Sequence, residues 1–257
     1  MICEEETALQ DKKNLLSSTK ISIIIPTYNE KDNLKVLVNS LLNTLGKNVK
    51  YEIIIVDDNS PDGTGLIAEE LSNSIKSVHV IHRPKKLGLA SALIDGFRIS
   101  RGEFIAVTDA DLQHSPSIFK KFLDETTRGA ELVIASRYVL GGNITSWNLR
   151  RRSVSRIATK LAHLFLVKSR KVKDPLSGNF MFKKSKITGV ELTGIGWKLL
   201  LEIIENCDFK KIVEIPYRFK SRKNGKSKLT YKEYLDFIFL LHLLKSDKVK
   251  KKQSNLV

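Results

Sequence analysis

Short apolar segments that alternate with segments of helical spacing are the feature that most constrains the fold of this chain. Residues 23–26 (IIIP) and 53–56 (IIIV) are apolar throughout, with no polar residue at alternate positions. Such runs are typical of strands buried on both faces, as in a parallel sheet covered by helices. We therefore predict an α/β fold with a mostly parallel central sheet flanked by helices. The predicted strands are 21–26, 51–58, 78–82, 104–109 and 132–136, and the predicted helices are 34–45, one from 65, 91–99 and 118–126.

Three of these strands end in oxygen-rich polar segments. The segments are residues 26–30 (PTYNE), 57–60 (DDNS) and 109–111 (DAD). Ligands of open α/β sheets bind in the crevice beyond the carboxyl ends of the strands. We therefore expect the three segments to line one crevice.

The DAD segment is a candidate metal site. Asp109, Asp111 and Gln113 lie at positions i, i+2 and i+4 after an apolar strand, so three hard oxygen ligands could converge on one Mg²⁺ or Mn²⁺. A metal with few protein ligands completes its coordination shell with substrate phosphates. The alternative is a polar turn after a buried strand.

The other two segments also have simpler interpretations. Asn29 and Glu30 could only cap the following helix, and Asp57 with Asp58 could only form a turn with the Pro and Gly that follow. Burying two adjacent carboxylates is costly unless they are paired or solvated in a cleft, which favours a ligand crevice. The chain has no GxGxxG after its first strand and no GxxxxGK[ST], which disfavours a dinucleotide fold and a P-loop NTPase.

The net charge of +16 is concentrated in three late segments. Residues 150–173, 218–232 and 245–252 hold 21 of the 44 Lys and Arg residues and only one acidic residue. Nucleic acid, an anionic membrane surface or a phosphorylated substrate would suit such segments, and so would a solvated basic surface. The absence of a nucleic-acid module or of interleaved basic and aromatic residues argues against a nucleic-acid-binding protein.

Two segments have the pattern of helices at a membrane interface. Residues 150–167 combine an apolar face with a cationic stripe of Arg152, Arg156 and Lys160, and Arg152 and Arg156 are candidates to contact a lipid phosphate. Residues 231–244 are largely apolar but too short to span a bilayer. For residues 150–167 the alternative is a surface helix packed on the sheet. We expect residues 1–20 to be a flexible leader rather than a signal peptide, and residues 245–257 to be a basic tail.

Seven sequence blocks in one order resemble the dolichol-phosphate mannosyltransferase family, which are inverting family 2 glycosyltransferases with a GT-A fold. The resemblance covers residues 21–244. The blocks are PTYNE (26–30), VDDNSPDGT (56–64), KKLGLASALIDG (85–96), DADLQHSP (109–116), SRY (136–138), DPLSGNF (174–180) and RKNGKSKL (222–229).

The resemblance implies a set of donor-binding residues. Asp58 and its neighbours would hold the guanine and ribose of GDP-mannose, and the DAD segment would hold the metal and diphosphate. Three cations would contact the donor. The small and basic residues of 219–229 predict a loop that orders over the diphosphate when donor and metal bind, and the alternative is a flexible basic surface loop. The implied residues are Pro26, Tyr28, Glu30, Val56, Asp58, Asp109, Ala110, Asp111, Gln113, Arg137, Arg222 and Lys228.

The implied reaction is mannose transfer from GDP-mannose to dolichyl or another polyprenyl phosphate, with inversion, for glycan assembly. The implied setting is peripheral attachment at the cytoplasmic face of a membrane or in the cytoplasm, with a small membrane subunit as a partner in some relatives. A polyprenyl-phosphate glucosyltransferase that uses UDP-glucose is the nearest alternative. A non-catalytic nucleotide-sugar binder would require the loss of a metal or phosphate position, and none is lost.

Overall fold

A seven-stranded sheet forms the centre of the computed structural model, which describes residues 20–47, 49–144, 149–219 and 231–254. The order of the strands is β3-β2-β1-β4-β7-β5-β8, and β6 pairs with β9 in a separate small sheet. The strands are β1 (Lys20–Thr27), β2 (Lys50–Asp57), β3 (Val78–His82), β4 (Phe104–Val107), β5 (Leu132–Ser136), β6 (Asn143–Ile144), β7 (Phe180–Lys183), β8 (Ile212–Pro216) and β9 (Arg218–Phe219).

The central sheet is parallel except for β7, which runs antiparallel between β4 and β5. The carboxyl ends of the other six strands therefore meet at one edge, and the chain enters β7 from that same edge. This confirms the prediction of a mostly parallel α/β sheet. Sequence analysis did not identify β7 or β8.

Helices cover both faces of the sheet because successive residues of its strands point to opposite sides. Ile23 and Ile25 pack on one face, whereas Ile24 packs on the other. Helices α1, α2 and α4 contribute to the first core, and α3 and α6 contribute to the second. The helices are α1 (Lys31–Leu45), α2 (Thr64–Ser74), α3 (Leu89–Ile99), α4 (Ile118–Thr127), α5 (Leu149–Phe165), α6 (Leu199–Asn206) and α7 (Tyr231–Ser254).

Helices α5 and α7 pack together in a third apolar cluster. Ala162 and Leu166 from the α5 region meet Phe237 and Leu240 of α7, and Leu201 of α6 joins them. Helix α7 runs through Ser254 and so includes most of the segment 245–257 that is predicted to be a basic tail. Within the described ranges, no helix combines the length and apolar character that a membrane span requires.

The turn before β4 is packed tightly against β1. The amide of Gly102 donates a 2.8 Å hydrogen bond to Ser22 Oγ, and Ser22 Oγ donates in turn to Glu52. A Cβ atom on Gly102 would lie 2.5 Å from the backbone nitrogen of Ser22. Any residue with a Cβ atom at this position would therefore require the backbone of β1 or of the turn to move.

Gly102→Ala should lower the free energy of unfolding by about 1–3 kcal/mol, because the backbone of β1 or the turn must move to admit the methyl group. Gly129→Asn is the matched control, since Gly129 has a positive φ in open space and Asn tolerates that conformation. Urea denaturation of both variants checks the expectation. Equal losses in the two variants would contradict it.

Candidate functional site

Sharp turns follow the three strands whose ends are rich in oxygen. Asn29, Asn59 and Leu112 are the three non-glycine residues with positive φ in the described part of the chain, at 54°, 59° and 57°. They lie just after β1, β2 and β4 respectively. This conformation is uncommon for non-glycine residues, least so for Asn. The turns bring the three polar segments to one edge of the sheet, as predicted.

The turn after β2 is held by Asp57. Its Oδ1 accepts hydrogen bonds from Thr27 Oγ1 at 3.0 Å and Ser60 Oγ at 2.6 Å, and its Oδ2 accepts one from the Ser60 amide at 3.0 Å. The side chain is buried. Asp57 therefore links β1 to β2 and has the turn-forming role that the sequence left open.

The predicted nucleotide-binding residues lie close together at the ends of β1 and β2. Pro26 and Val56 are register partners in these strands, and both are buried. Lys86 Nζ lies over the Tyr28 ring, 4.1 Å from its centroid. The Glu30 amide donates to Thr64 Oγ1, and the Glu30 carboxylate accepts a hydrogen bond from Asn33, so Glu30 is tied to the starts of α1 and α2.

Asp58 is buried and bonded within the protein. Its Oδ1 accepts hydrogen bonds from Arg83 Nη1 at 2.7 Å and the Leu87 amide at 2.8 Å, while its Oδ2 accepts one from the Gly88 amide at 2.8 Å. A carboxylate has about four lone-pair positions, so these bonds use most of its capacity. Asp58 thus organises the 84–88 loop beside the crevice, whatever it also contributes to a ligand.

The DAD segment places two carboxylates and an amide on one turn. Asp111 Oδ1 accepts a 3.1 Å hydrogen bond from the Gln113 amide, and Ala110, Asp111 and Gln113 are buried. The Asp109 side chain is 33% exposed, so one carboxylate reaches the crevice. A Cβ atom on Gly178 would lie 2.8 Å from Asp109 Oδ2, so glycine makes room for this carboxylate.

His114 lies against the DAD segment, although sequence analysis left it out of the site. Its Nε2 is 3.8 Å from Asp109 Oδ2, and its ring stacks on Tyr217 with centroids 5.0 Å apart. Burial lowers the pKa of His114 to about 4, against the opposing charge of Asp111, so the ring is neutral at pH 7. His114 and Tyr217 also line a neighbouring cavity of about 310 Å³.

Arg137 is held by a buried carboxylate at the end of β5. Its Nε and Nη2 donate to the two oxygens of Asp174 at 2.8 and 2.6 Å, and its amide donates to Asp174 Oδ2 at 2.9 Å. The negative charge of Asp174 raises the pKa of Arg137 despite the cost of burial. Arg137 is therefore a fixed, permanently charged group. Like Asp109, it lies where the carboxyl ends of the strands meet.

Lys198 is a cation of the site that sequence analysis missed. Its Nζ donates a 2.7 Å hydrogen bond to the Leu176 carbonyl and lies 3.6 Å from the centroid of the Trp197 ring. Burial, and next the positive charge of Arg137, lower the pKa of Lys198 to about 7, while the charges of Asp174 and Asp109 act in the opposite direction. It precedes α6 without a recognisable motif, so no local signal identifies it.

The remaining predicted cations fall into two groups. Arg152 donates from Nη2 to the Ile144 carbonyl, while Arg156 is exposed on α5. Arg222 and Lys228, with nearly all of the predicted loop at 219–229, lie outside the described residues. The structure thus brings together the DAD segment, Arg137 and Lys198.

The stability of a Lys198→Met variant relative to the natural chain should depend on pH. The pKa of Lys198 is about 7 in the folded protein and 10.5 ordinarily, so the unfolded chain binds more protons between these values. The natural chain therefore gains stability as pH rises through this window, and the variant does not. The free energy of unfolding of the variant, relative to that of the natural chain, should therefore fall by on the order of 3 kcal/mol between pH 6 and pH 9.5.

Urea denaturation at the two pH values measures this difference, and Lys183→Met, at a partly exposed lysine, is the matched control. The control should show no such change with pH. A pH-independent difference for Lys198→Met would mean that Lys198 is charged throughout in the folded protein.

The chain matches known proteins over most of its length. The model of glycosyl transferase family 2 matches residues 22–189. The chain is 44% identical over 225 residues to a dolichol-phosphate mannosyltransferase of Pyrococcus furiosus, covering 86% of this chain and 63% of that protein. It is 33% identical over 236 residues to a polyprenol monophosphomannose synthase of Mycolicibacterium smegmatis, covering 88% and 87% of the two chains. The chain thus spans less than two thirds of the Pyrococcus relative.

Solved structures share the fold. Glucosyl-3-phosphoglycerate synthase of Mycobacterium tuberculosis in complex with UDP superposes with a TM-score of 0.71 at 16% identity, over 92% of this chain and 84% of that chain. The same enzyme with Mn²⁺, UDP and glucosyl-3-phosphoglycerate gives a TM-score of 0.66 at 16% identity, over 91% and 79%. The likeness confirms the predicted GT-A fold. The family match over residues 22–189 and the Mycolicibacterium relative place this chain in glycosyl transferase family 2.

Proposed function

We propose that this protein transfers mannose from GDP-mannose to the phosphate of dolichol or another polyprenol, with inversion at the sugar. Two relatives, 44% and 33% identical, bear names that describe mannose transfer to such lipids. The chain also has each motif of the dolichol-phosphate mannosyltransferase pattern in order. Membership of a glycosyltransferase family makes transfer from a nucleotide sugar the natural reaction class.

The observation that carries the proposal is the juxtaposition of opposite charges at the carboxyl edge of the sheet. Asp109 and Asp111 follow β4, and the buried cations Arg137 and Lys198 face the same region. A sugar nucleotide presents a diphosphate to such a site, and the departing diphosphate gains negative charge during transfer. Fixed cations in a poorly solvated site stabilise that charge more than water would.

The residues of the DAD segment fit a divalent metal. Asp109, Asp111 and Gln113 supply carboxylate and amide oxygens, which Mg²⁺ and Mn²⁺ prefer, and Gly178 leaves space at the exposed carboxylate. Clusters of three or more His, Cys, Asp or Glu suited to a metal do not occur among the described residues, so substrate oxygens would complete the shell. A bound ion would neutralise the diphosphate and favour its departure.

The acceptor explains why a general base is dispensable. A lipid phosphate is already an anion at neutral pH, so its oxygen can attack without losing a proton to the protein. The protein must instead hold two anionic substrates in line, and Lys198 and Arg137 would offset their mutual repulsion. His114 is neutral at this pH and so contributes no charge to this balance. Attack opposite the diphosphate converts an α-linked donor into a β-linked product.

A donor panel tests the proposal. With polyprenyl phosphate and Mg²⁺ or Mn²⁺, radiolabelled GDP-mannose should yield labelled lipid, whereas UDP-glucose should not. Asp111→Asn should reduce the rate at least a hundredfold, because it removes a metal-binding carboxylate at nearly constant volume. Asp208→Asn, at an exposed surface position, is the matched control and should keep full activity.

Each contrary outcome has a distinct meaning. Transfer from UDP-glucose alone would replace the donor with that of the glucosyltransferase alternative. Donor binding without transfer to any lipid phosphate would favour a non-catalytic nucleotide-sugar binder. Full activity of Asp111→Asn, or in excess EDTA, would overturn the metal assignment.

The helix pair α5 and α7 would bring the site to a membrane surface. Ile157 and Leu164 of α5 and Ile238 and Phe239 of α7 are more than half exposed, although their helices bury a shared apolar cluster. Arg156 and Lys160 are exposed at i, i+4 spacing on α5. Exposed apolar side chains beside cations suit an interface with anionic headgroups, where the lipid phosphate would be found.

The proposed setting is peripheral attachment at the cytoplasmic face of a membrane. A nucleotide-sugar donor fits that compartment, and so does the sparse use of cysteine, with two residues in the chain. A small membrane subunit could add to the attachment at the exposed apolar side chains of α7. Co-purification from detergent extracts of the native membrane would test for such a subunit.

Replacing Arg156 and Lys160 together by Gln should weaken binding to vesicles that contain phosphatidylglycerol. Each cation near an anionic surface contributes about 1 kcal/mol, so the two changes should reduce partitioning roughly thirtyfold at low salt. Arg152 is left unchanged because its guanidinium bonds to the Ile144 carbonyl. Vesicle co-sedimentation at low and high salt measures the effect.

The matched control removes the same charge elsewhere. Lys120 and Lys121 are neighbouring exposed cations on α4, which packs against a different core. Their double replacement by Gln should leave vesicle binding nearly unchanged. If the two double variants lose binding equally, only net charge matters; if neither does, α5 is not the contact.

A further inference from the structure

Arg83 lies at the centre of a buried polar network beside the crevice. Its Nη1 donates to Asp58 Oδ1 at 2.7 Å and to the Gly88 carbonyl at 3.2 Å, and its Nη2 donates to Ser91 Oγ at 2.8 Å. Its Nε lies 3.1 Å from Asp95 Oδ2 in an ion pair. The guanidinium thus connects the end of β2 to the first two turns of α3. Only 4% of the Arg83 side chain is exposed.

The network encloses the short loop that joins β3 to α3. Arg83 begins this loop, and its amide donates to the Asp57 carbonyl at 3.0 Å. At the other end of the loop, the amides of Leu87 and Gly88 donate to the two oxygens of Asp58. Gly88 has a φ of 101°, which favours glycine at this position. The two ends of the loop are therefore fixed to the same carboxylate, directly or through Arg83.

The middle of the loop presents two exposed lysines, and one of them lies on the crevice. Lys86 Nζ is 4.1 Å from the centroid of the Tyr28 ring, a distance suited to a cation–π contact. Lys85, its neighbour in the loop, is also exposed. Tyr28 follows β1, in the segment that lines the proposed nucleotide crevice. The loop thus delivers one cation to the wall of that crevice.

We infer that Arg83 is a positioning residue for donor binding, and that it acts by holding the 84–88 loop so that Lys86 forms a wall of the nucleotide crevice with Tyr28. The inference rests on the proposed function for the identity of the donor. It assigns Lys86 as a donor-binding residue and Asp58 as the anchor of the loop. The expected effect is on affinity for the nucleotide rather than on the chemical step.

The geometry of the contacts explains why the position requires arginine. A planar guanidinium offers donors in several fixed directions, and here they meet a carboxylate, a hydroxyl and a carbonyl, while Nε lies in an ion pair with a second carboxylate. A lysine ammonium is a single point that cannot reach all four partners. Arg83→Lys therefore keeps the charge opposite Asp58 and Asp95 but releases part of the loop. This separates the positioning role from mere charge balance.

A double-mutant cycle tests the inference. GDP binding, measured by calorimetry with Mg²⁺ present, should weaken about tenfold in Arg83→Lys and about tenfold in Lys86→Met. In the Lys86→Met background, Arg83→Lys should add less than twofold, because its effect passes through Lys86. Steady-state transfer should show a higher KM for the donor in each single variant, with kcat within twofold of the natural value. Full additivity of the two changes would overturn the inference.

Three controls keep the test decisive. Lys85→Met removes the same charge one residue away and should change GDP binding less than twofold; an equal loss there would overturn the role of Lys86. If Arg83→Lys does not fold, Ser91→Ala loosens the same loop by removing the Nη2 contact and the hydrogen bonds of Ser91 Oγ to the Leu87 and Gly88 carbonyls. It should weaken GDP binding in the natural background but not in Lys86→Met. If the natural protein binds UDP instead of GDP, the same cycle is run with UDP, so the donor proposal fails while the positioning role is still tested. Failure of the natural protein to bind either nucleotide overturns both.

Discussion

The ion pair between Arg137 and Asp174 is the interaction on which the arrangement of the site depends. Asp174 is fully buried and accepts three hydrogen bonds from Arg137, while its own amide donates to Glu214 of β8. The pair therefore joins the end of β5, the segment entering β7 and strand β8. Removing one partner of a buried pair leaves an uncompensated charge, at a cost of about 3–5 kcal/mol. The site can hold further charged groups only because this pair is satisfied.

The closeness of two cations, Arg137 and Lys198, gives the site its chemical character. Lys198 has a lowered pKa because it is buried and lies near a second cation, so its charge is disfavoured until an anion arrives. A diphosphate would supply that anion and raise the pKa of Lys198 on binding. Binding of the proposed donor would then be coupled to proton uptake near neutral pH. Burial likewise keeps His114 neutral, so its ring lies beside these groups without adding a charge.

Much of this architecture follows from local sequence patterns. The apolar runs at β1 and β2 predict buried parallel strands, and polar residues immediately after them predict where the crevice lies. The spacing of Asp109, Asp111 and Gln113 similarly indicates a common turn. These inferences succeed because strand burial and the period of side-chain direction are local properties. Strand β8 escaped prediction because Glu214 interrupts its apolar residues, and β7 because it offers only three apolar residues in a row, 180–182.

The residues that sequence reasoning missed are defined by distant partners. Lys198 is separated by 22 residues from the carbonyl that it contacts, and Arg83 by 25 residues from Asp58. Neither separation has a period or motif that a single sequence displays. The structure also adds a role for Asp58, because its carboxylate is largely bonded to Arg83 and two loop amides. A residue can therefore belong to a ligand-binding motif because it builds the wall of the crevice, even where its own oxygens are mostly bonded within the protein.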